Sequence, residues 1–208
     1  MKKFGFTLAE ILVSVAIVGV MAALTLPTLR TNTTNAQIGP KLAKAVSTFE
    51  QANESLLSSM SSDSLSDANL TDDIPGYINN LRSFLKITNV AAPRFNTKDN
   101  IQFTIEIENA NPVNGAVPYQ QNLGTVTINI NPSAPNEVLG TNIFRFSFWN
   151  DGSLRPQGGT NWNGNADSQP GGVRHWNNQA NCPANAVPTN PAFCAGHIFE
   201  NNLRVLYE

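Results

Sequence analysis

Charge, cysteine and histidine are all scarce in this chain of 208 residues. Charged side chains make up 13%, and there are two cysteines and two histidines. Thirteen basic residues stand against 15 acidic ones, a net charge of −2. That balance gives no basic footprint for nucleic acid. His175 and His197 are isolated. Cys182 and Cys194 have no second Cys or His pair at ligand spacing, which argues against a zinc site. There is no nucleophile elbow, no HExxH and no glycine-rich phosphate loop. Asp151 and Asp167 lie in loop sequence without EF-hand spacing, so no calcium site is expected. Glu106 and Glu108 read as solvated residues on the polar side of a strand. The expectation is a chain that is not an enzyme and needs no metal or cofactor.

Two things are abundant. Asparagine occurs 28 times; it favours turns and tolerates left-handed backbone, which suggests a loop-rich, neutral surface. The second is an apolar run over residues 11–26. From Phe4 to Leu29 the sole charged side chain is Glu10. Residues 6–29 would form about 36 Å of helix, enough to cross a bilayer core of about 30 Å. Lys2 and Lys3 are the positive flank and place the N-terminus on the cytoplasmic side. A carboxylate near the end of such a segment is costly and is functional by default.

The residues around that carboxylate are Gly5, Phe6, Thr7, Leu8, Ala9 and Glu10, preceded by a short basic leader. This segment resembles the processing site of the type IV pilin and pseudopilin family, without departure from the family pattern. The resemblance implies cleavage between Gly5 and Phe6 by a prepilin peptidase, and N-methylation of the new amine on Phe6. It also implies that Glu10 directs filament assembly. An ammonium on Phe6 lies one helical turn from Glu10, and in a filament the carboxylate of one subunit meets the ammonium of a neighbour. An unpaired ion in low dielectric costs several kcal/mol, so the pair selects register. A secretory signal peptide, with small residues at Ala22 and Ala23 as its cleavage site, and a plain single-pass anchor are the competing readings. Both leave Glu10 unexplained. No cysteine occurs here, which argues against a lipoprotein signal.

Beyond the apolar run, Pro27 is placed to kink the helix, because proline removes one helix hydrogen bond. Gly39-Pro40 offers a second bend or break. Ile38, Leu42, Val46, Phe49, Leu56 and Met60 form an amphipathic stripe interrupted by Asn53. Residues 58–73 read as a Ser- and Asp-rich loop, and residues 77–87 as a short helix carrying Ile78, Leu81 and Leu85. Residues 101–107, 125–131 and 143–149 alternate with the period of half-buried strands, and residues 150–153 make a tight turn. An antiparallel sheet packed on the helix follows. Residues 155–196 lack periodicity; Trp162 and Trp176 within them, like Trp149 before them, are read as locally buried rather than ligand-binding. Leu203, Val205 and Tyr207 suggest a last strand. The stretch from Asn129 to Gly158 is also similar to a segment of some bacterial pilin-like proteins: strand, Pro-Asn turn, glycine, aromatic strand, Asp-Gly turn.

The fold class expected is α+β. A long N-terminal helix, membrane-spanning in one half and amphipathic in the other, packs on an antiparallel sheet head in the pilin-like manner. Residues 1–5 are the leader, 6–30 the transmembrane and filament-core helix, 31–60 the amphipathic helix, and 61–208 the head. Outside the cytoplasm, Cys182 and Cys194 are expected to form a disulfide that stabilises the head by roughly 3 kcal/mol; two reduced thiols are the alternative. The partners implied are the prepilin peptidase and methylase, identical or related subunits, an inner-membrane assembly platform and the membrane itself. The location implied is the bacterial inner membrane, then a pilus or periplasmic pseudopilus. A membrane-anchored binding module, recognising ligand through the loops after Arg155, is the alternative from another class.

Overall fold

A computed structural model of the chain describes residues 8–108, 121–156 and 194–200, with side chains 24–35, 197 and 200 excepted. The chain divides into two compact units, Met1–Gln37 and Ile38–Glu208. Helix α1, Leu8–Met60, is assigned as one helix through both Pro27 and Gly39-Pro40, so the break considered at Gly39-Pro40 does not occur. Gly39 is buried, and the ring of Pro40 points to solvent.

In the second unit, six strands form an antiparallel sheet in simple sequence order: β1 Ile87–Ala91, β2 Arg94–Thr97, β3 Gln102–Ile107, β4 Asn122–Asn129, β5 Ile143–Trp149 and β6 Leu154–Pro156. The alternating runs produce β3 and β5 almost to the residue. β4 starts three residues before its alternating run and stops two residues short of its end, with a register shift between Asn122 and Gly124. Gly124 is there because a Cβ would run into the carbonyl oxygen of Glu106 on β3. Strands β1, β2 and β6 were not expected from the pattern. β1 has no fully buried residue and β6 is three residues long, so neither shows a clear period of two.

The core forms where one face of this sheet meets α1. Across the strands, Phe95, Phe103, Ile128 and Phe144 make one cross-strand row, and Ile105, Val126 and Phe146 make the next. Phe49 of α1 stacks on Phe103 with ring centroids 5.2 Å apart and meets Phe148 edge-on at 5.8 Å. Ile38, Leu42, Val46, Phe49 and Leu56 are buried as the stripe requires, joined by Ala45, Ala52 and Leu57. Met60 is the exception: it ends the helix and stays 44% exposed.

The short helix α2, Ile74–Leu81, begins and ends earlier than the apolar spacing suggests. Its start is set by Asp73, whose carboxylate accepts from the Gly76 amide at 3.1 Å, with Pro75 in the first turn; this is the ordinary chemistry of an N-cap. Residues from Ile87 onward belong to β1 instead. A third helix, α3, Cys194–Glu200, occupies sequence expected to be irregular. Phe199 meets Phe146 edge-on at 6.3 Å, which docks α3 on β5. The expected strand near Leu203, and most of the irregular stretch with Trp162, Asp167, His175 and Trp176, lie outside the described residues.

Asn53, the gap in the apolar stripe, is fully buried. Its amide donates to the carbonyl of Gly152 at 3.0 Å, and the Tyr77 hydroxyl donates to its Oδ1. One side chain therefore ties α1, α2 and the β5–β6 turn together. Burial pushes the Tyr77 phenol far above its ordinary value, with the Asn53 hydrogen bond opposing more weakly, so Tyr77 remains a donor. Gly152 has φ +81°, and a Cβ there would sit 2.6 Å from that of Asn53.

Two stability outcomes follow. Asn53→Leu leaves the Tyr77 hydroxyl and the Gly152 carbonyl buried without partners and should cost about 2–3 kcal/mol in denaturant unfolding. Gly152→Ala should cost at least as much, because it combines left-handed backbone with the overlap on Asn53. A wild-type unfolding midpoint for either variant would contradict the role given to this turn.

Candidate functional site

Glu10 sits in the first turn of α1. There the partial positive charge of the helix N-terminus favours a carboxylate. One turn on, the Ser14 hydroxyl donates back to the Glu10 carbonyl at 2.8 Å, a bond that satisfies a serine within an apolar segment. Around these residues the helix has no polar face. All sixteen side chains of residues 8–23 are exposed, including Leu8 at 78% and Ile11, Leu12, Val13, Val15, Ile17, Val18, Val20 and Met21. A helix apolar on every side is ordinarily buried on every side, and a contiguous patch of this size marks an interaction surface. Among the described residues no helix is long and apolar enough to cross a membrane.

Gly5 and Phe6 lie outside the described residues. Pro27 lies within α1, and its side chain is likewise outside the description. Cys194 opens α3, is fully buried and is not a free thiol; Cys182 lies outside the described residues. Glu106 and Glu108 are exposed, as expected of solvated strand residues. Asp151 serves its own turn: its Oδ1 accepts from the Ser153 amide at 2.9 Å and from the Ser153 hydroxyl at 2.6 Å. No cluster of metal-binding side chains occurs among the described residues. Trp149 is buried, with the Arg155 guanidinium 3.7 Å above its ring centroid, a cation–π contact.

One feature of the head carried no sequence signal. A cleft of about 420 Å³ opens between α1, the segment joining α2 to β1, and the β2–β3 turn. Ala45, Leu85, Ile101 and Phe103 form apolar walls, with Phe84 at its mouth. Lys44, Lys86, Lys98 and Asp99 supply the charge. Lys44 reaches Asp99 at 2.6 Å. These residues are separated by up to 55 positions in the chain, so no local motif announces them.

The hydrogen bond from Lys44 holds the Asp99 carboxyl below its ordinary value; the Lys44 charge adds to this, and Lys98 and Lys86 contribute less. A depressed carboxylate stabilises the fold above its unfolded pKa and loses that contribution as pH falls through the folded value. Both partners are more than half exposed, so the pair adds little to stability. An NMR titration should place the Asp99 midpoint below that of an unperturbed aspartate, and Lys44→Gln should return most of the shift with little change in global stability. An unshifted midpoint in the wild-type chain would remove this ion pair.

Residues 1–26 match the family model described as the prokaryotic N-terminal methylation motif, the signature of type IV pilins and pseudopilins. No curated protein and no solved structure matches the chain.

Proposed function

We propose that the chain is the precursor of a structural subunit of a type IV pilus-like or type II secretion-like filament. The observation that carries this reading is the methylation motif of residues 1–26 leading into a helix whose described apolar side chains are all uncovered. A prepilin peptidase removes residues 1–5, leaving Phe6 as a methylated N-terminus. Losing Lys2 and Lys3 leaves 11 basic and 15 acidic side chains, a net −4 for the mature chain. Before assembly the apolar segment is held in the bacterial inner membrane with the head outside the cytoplasm, and an assembly platform extracts it. In the filament the segment packs against its counterparts in neighbouring subunits. Burying apolar surface supplies the energy at about 25 cal/mol per Å². The Glu10 carboxylate meets the Phe6 ammonium of an adjacent subunit and supplies the register. In the head, Cys194 pairs with Cys182. The chain works by assembly rather than catalysis, and no cofactor takes part.

Gly5→Val should block processing, leaving a precursor whose N-terminal sequence still begins at Met1. Glu10→Val should leave processing and the head intact but reduce filament yield by at least about tenfold, the effect expected of an uncompensated buried charge in the partner. Exchanging residues 1–30 for an unrelated membrane anchor should abolish assembly. If the anchored head retained its full function after that exchange, the chain would be a tethered binding module instead.

A further inference from the structure

The head carries two charged surfaces of opposite sign, placed so that they cannot meet within one molecule. The first is the cleft already described, where Lys44, Lys86 and Lys98 outnumber the single Asp99. The second is the segment of residues 61–73. It holds Asp63, Asp67, Asp72 and Asp73, all exposed, and no basic residue. Its four charges equal the net charge of the whole mature chain. Asp73 caps α2, whereas Asp63, Asp67 and Asp72 have no such local task.

The segment is held rigidly by its backbone. The Leu65 amide donates to the Asn150 carbonyl at 2.8 Å, the Ser66 amide to Asn150 Oδ1 at 3.0 Å, and Asn150 Nδ2 to Ser66 Oγ at 2.8 Å. Leu65 and Leu70 are buried beneath it. The acidic surface is therefore preorganised, not a loose tail.

Strand register separates the two surfaces. Lys86 precedes β1, Lys98 follows β2, and Ile87 pairs with Thr97, so the cleft lies at that end of the strands. On β5 the same end of the sheet is marked by Ile143, which pairs with Asn129, itself opposite Gln102 of β3. Asn150, which anchors the acidic segment, follows the far end of β5. From β2 to β5 is about 14 Å across the sheet, and the length of β5 is about 20 Å. The surfaces thus occupy diagonally opposite corners of one rigid head. A surface that fits a distinct surface on an identical molecule makes a heterologous contact, and repetition of such a contact gives an open chain of copies rather than a closed pair.

We propose that the acidic segment 61–73 of one copy docks on the lysine cleft of a second copy, with Asp63, Asp67 and Asp72 facing Lys86 and Lys98. This rests on the filament reading above and assigns the contact between neighbouring heads. Exposed charges of this kind choose the partner and the orientation more than they add affinity, and their effect weakens with salt.

Zero-length carbodiimide coupling of the full-length protein, in membranes and in sheared fibres, tests the contact. The expected result is a ladder of dimers and higher species on a denaturing gel, with linked peptides joining Lys86 or Lys98 to Asp63, Asp67 or Asp72. Lys86→Glu with Lys98→Glu should reduce the ladder about tenfold, as should Asp63→Lys with Asp67→Lys. All four reversals in one chain should restore it. Recovery in the combined variant excludes misfolding as the cause of the losses. A ladder indifferent to either reversal, a combined variant as poor as its parents, or links only to a different protein would overturn the docking. A Glu10-dependent polymer without these links sinks the docking alone. Absence of any polymer from the wild-type chain sinks the filament reading and the docking with it.

Discussion

Helix α1 has to satisfy two different environments with one backbone, and the rest of the molecule follows from how its sequence changes along the way. Over residues 8–23 the side chains are apolar in every direction, save Glu10 and Ser14 and a few small residues. From Ile38 the apolar positions narrow to one stripe, and that stripe is covered by the sheet. The 3.6-residue period makes the second part a self-sufficient building element. The same period makes the first part dependent on something outside the described chain. Adding polar residues to the first part would remove its need for cover, and adding apolar ones to the exposed side of the second would oblige the head to find more. The stretch of α1 within the head is fixed by Phe49, which touches both Phe103 and Phe148 and so aligns the helix with β3 and β5.

Buried asparagine does in this head what charged networks do elsewhere. Asn53, Asn129, Asn142 and Asn150 are all nearly or fully buried. Asn142 accepts from the Val138 amide at 2.6 Å and donates to the Asn136 carbonyl at 2.9 Å, closing the β4–β5 connection. Asn150 binds Ser66 and Gln121 and closes the other end of β5. An amide side chain offers two donors and an acceptor without a net charge. It can satisfy loop backbone in the interior while avoiding the desolvation cost of an ion. A head with 13% charged residues can therefore hold long connections in place. The abundance of asparagine read from composition as a neutral surface is, at these four positions, an interior feature.

The parts of the fold that were legible are those with an uninterrupted period. Residues 101–107 and 143–149 have apolar side chains at every second position because their alternate faces meet the helix and the outside, and β3 and β5 lie there. The stripe of α1 was visible for the same reason. β1 and β2 were not, because an edge pair with little burial leaves no alternation to read. The start of α2 was written in Asp73 and Pro75, signals that outweigh the apolar spacing used to place it. Asn53 looked like a defect in the stripe, since sequence separation hides the turn it serves, 99 residues away. Of the site, Gly5, Phe6 and Glu10 were legible because their motif is contiguous. The lysine cleft was not, because it assembles from three distant segments whose meeting depends on the pairing of β1 with β2.

The two kinds of interaction assigned to assembly divide the work along physical lines. Apolar contact between helices is strong but nearly indifferent to sliding and rotation, because its energy follows area rather than direction. It cannot by itself choose one stagger between subunits. A buried carboxylate can, because a shift of one helical turn separates it from its counter-ion by about 5 Å and leaves both charges desolvated. That contact fixes translation along the helix, but a point contact leaves rotation about it open. Charged surfaces on diagonally opposite corners of a rigid head resist that rotation with a long lever arm, so that even weak, screened pairs distinguish one orientation of the next subunit from the others. The scarcity of charge elsewhere on the head sharpens the choice, since few competing pairs exist to stabilise a misrotated neighbour.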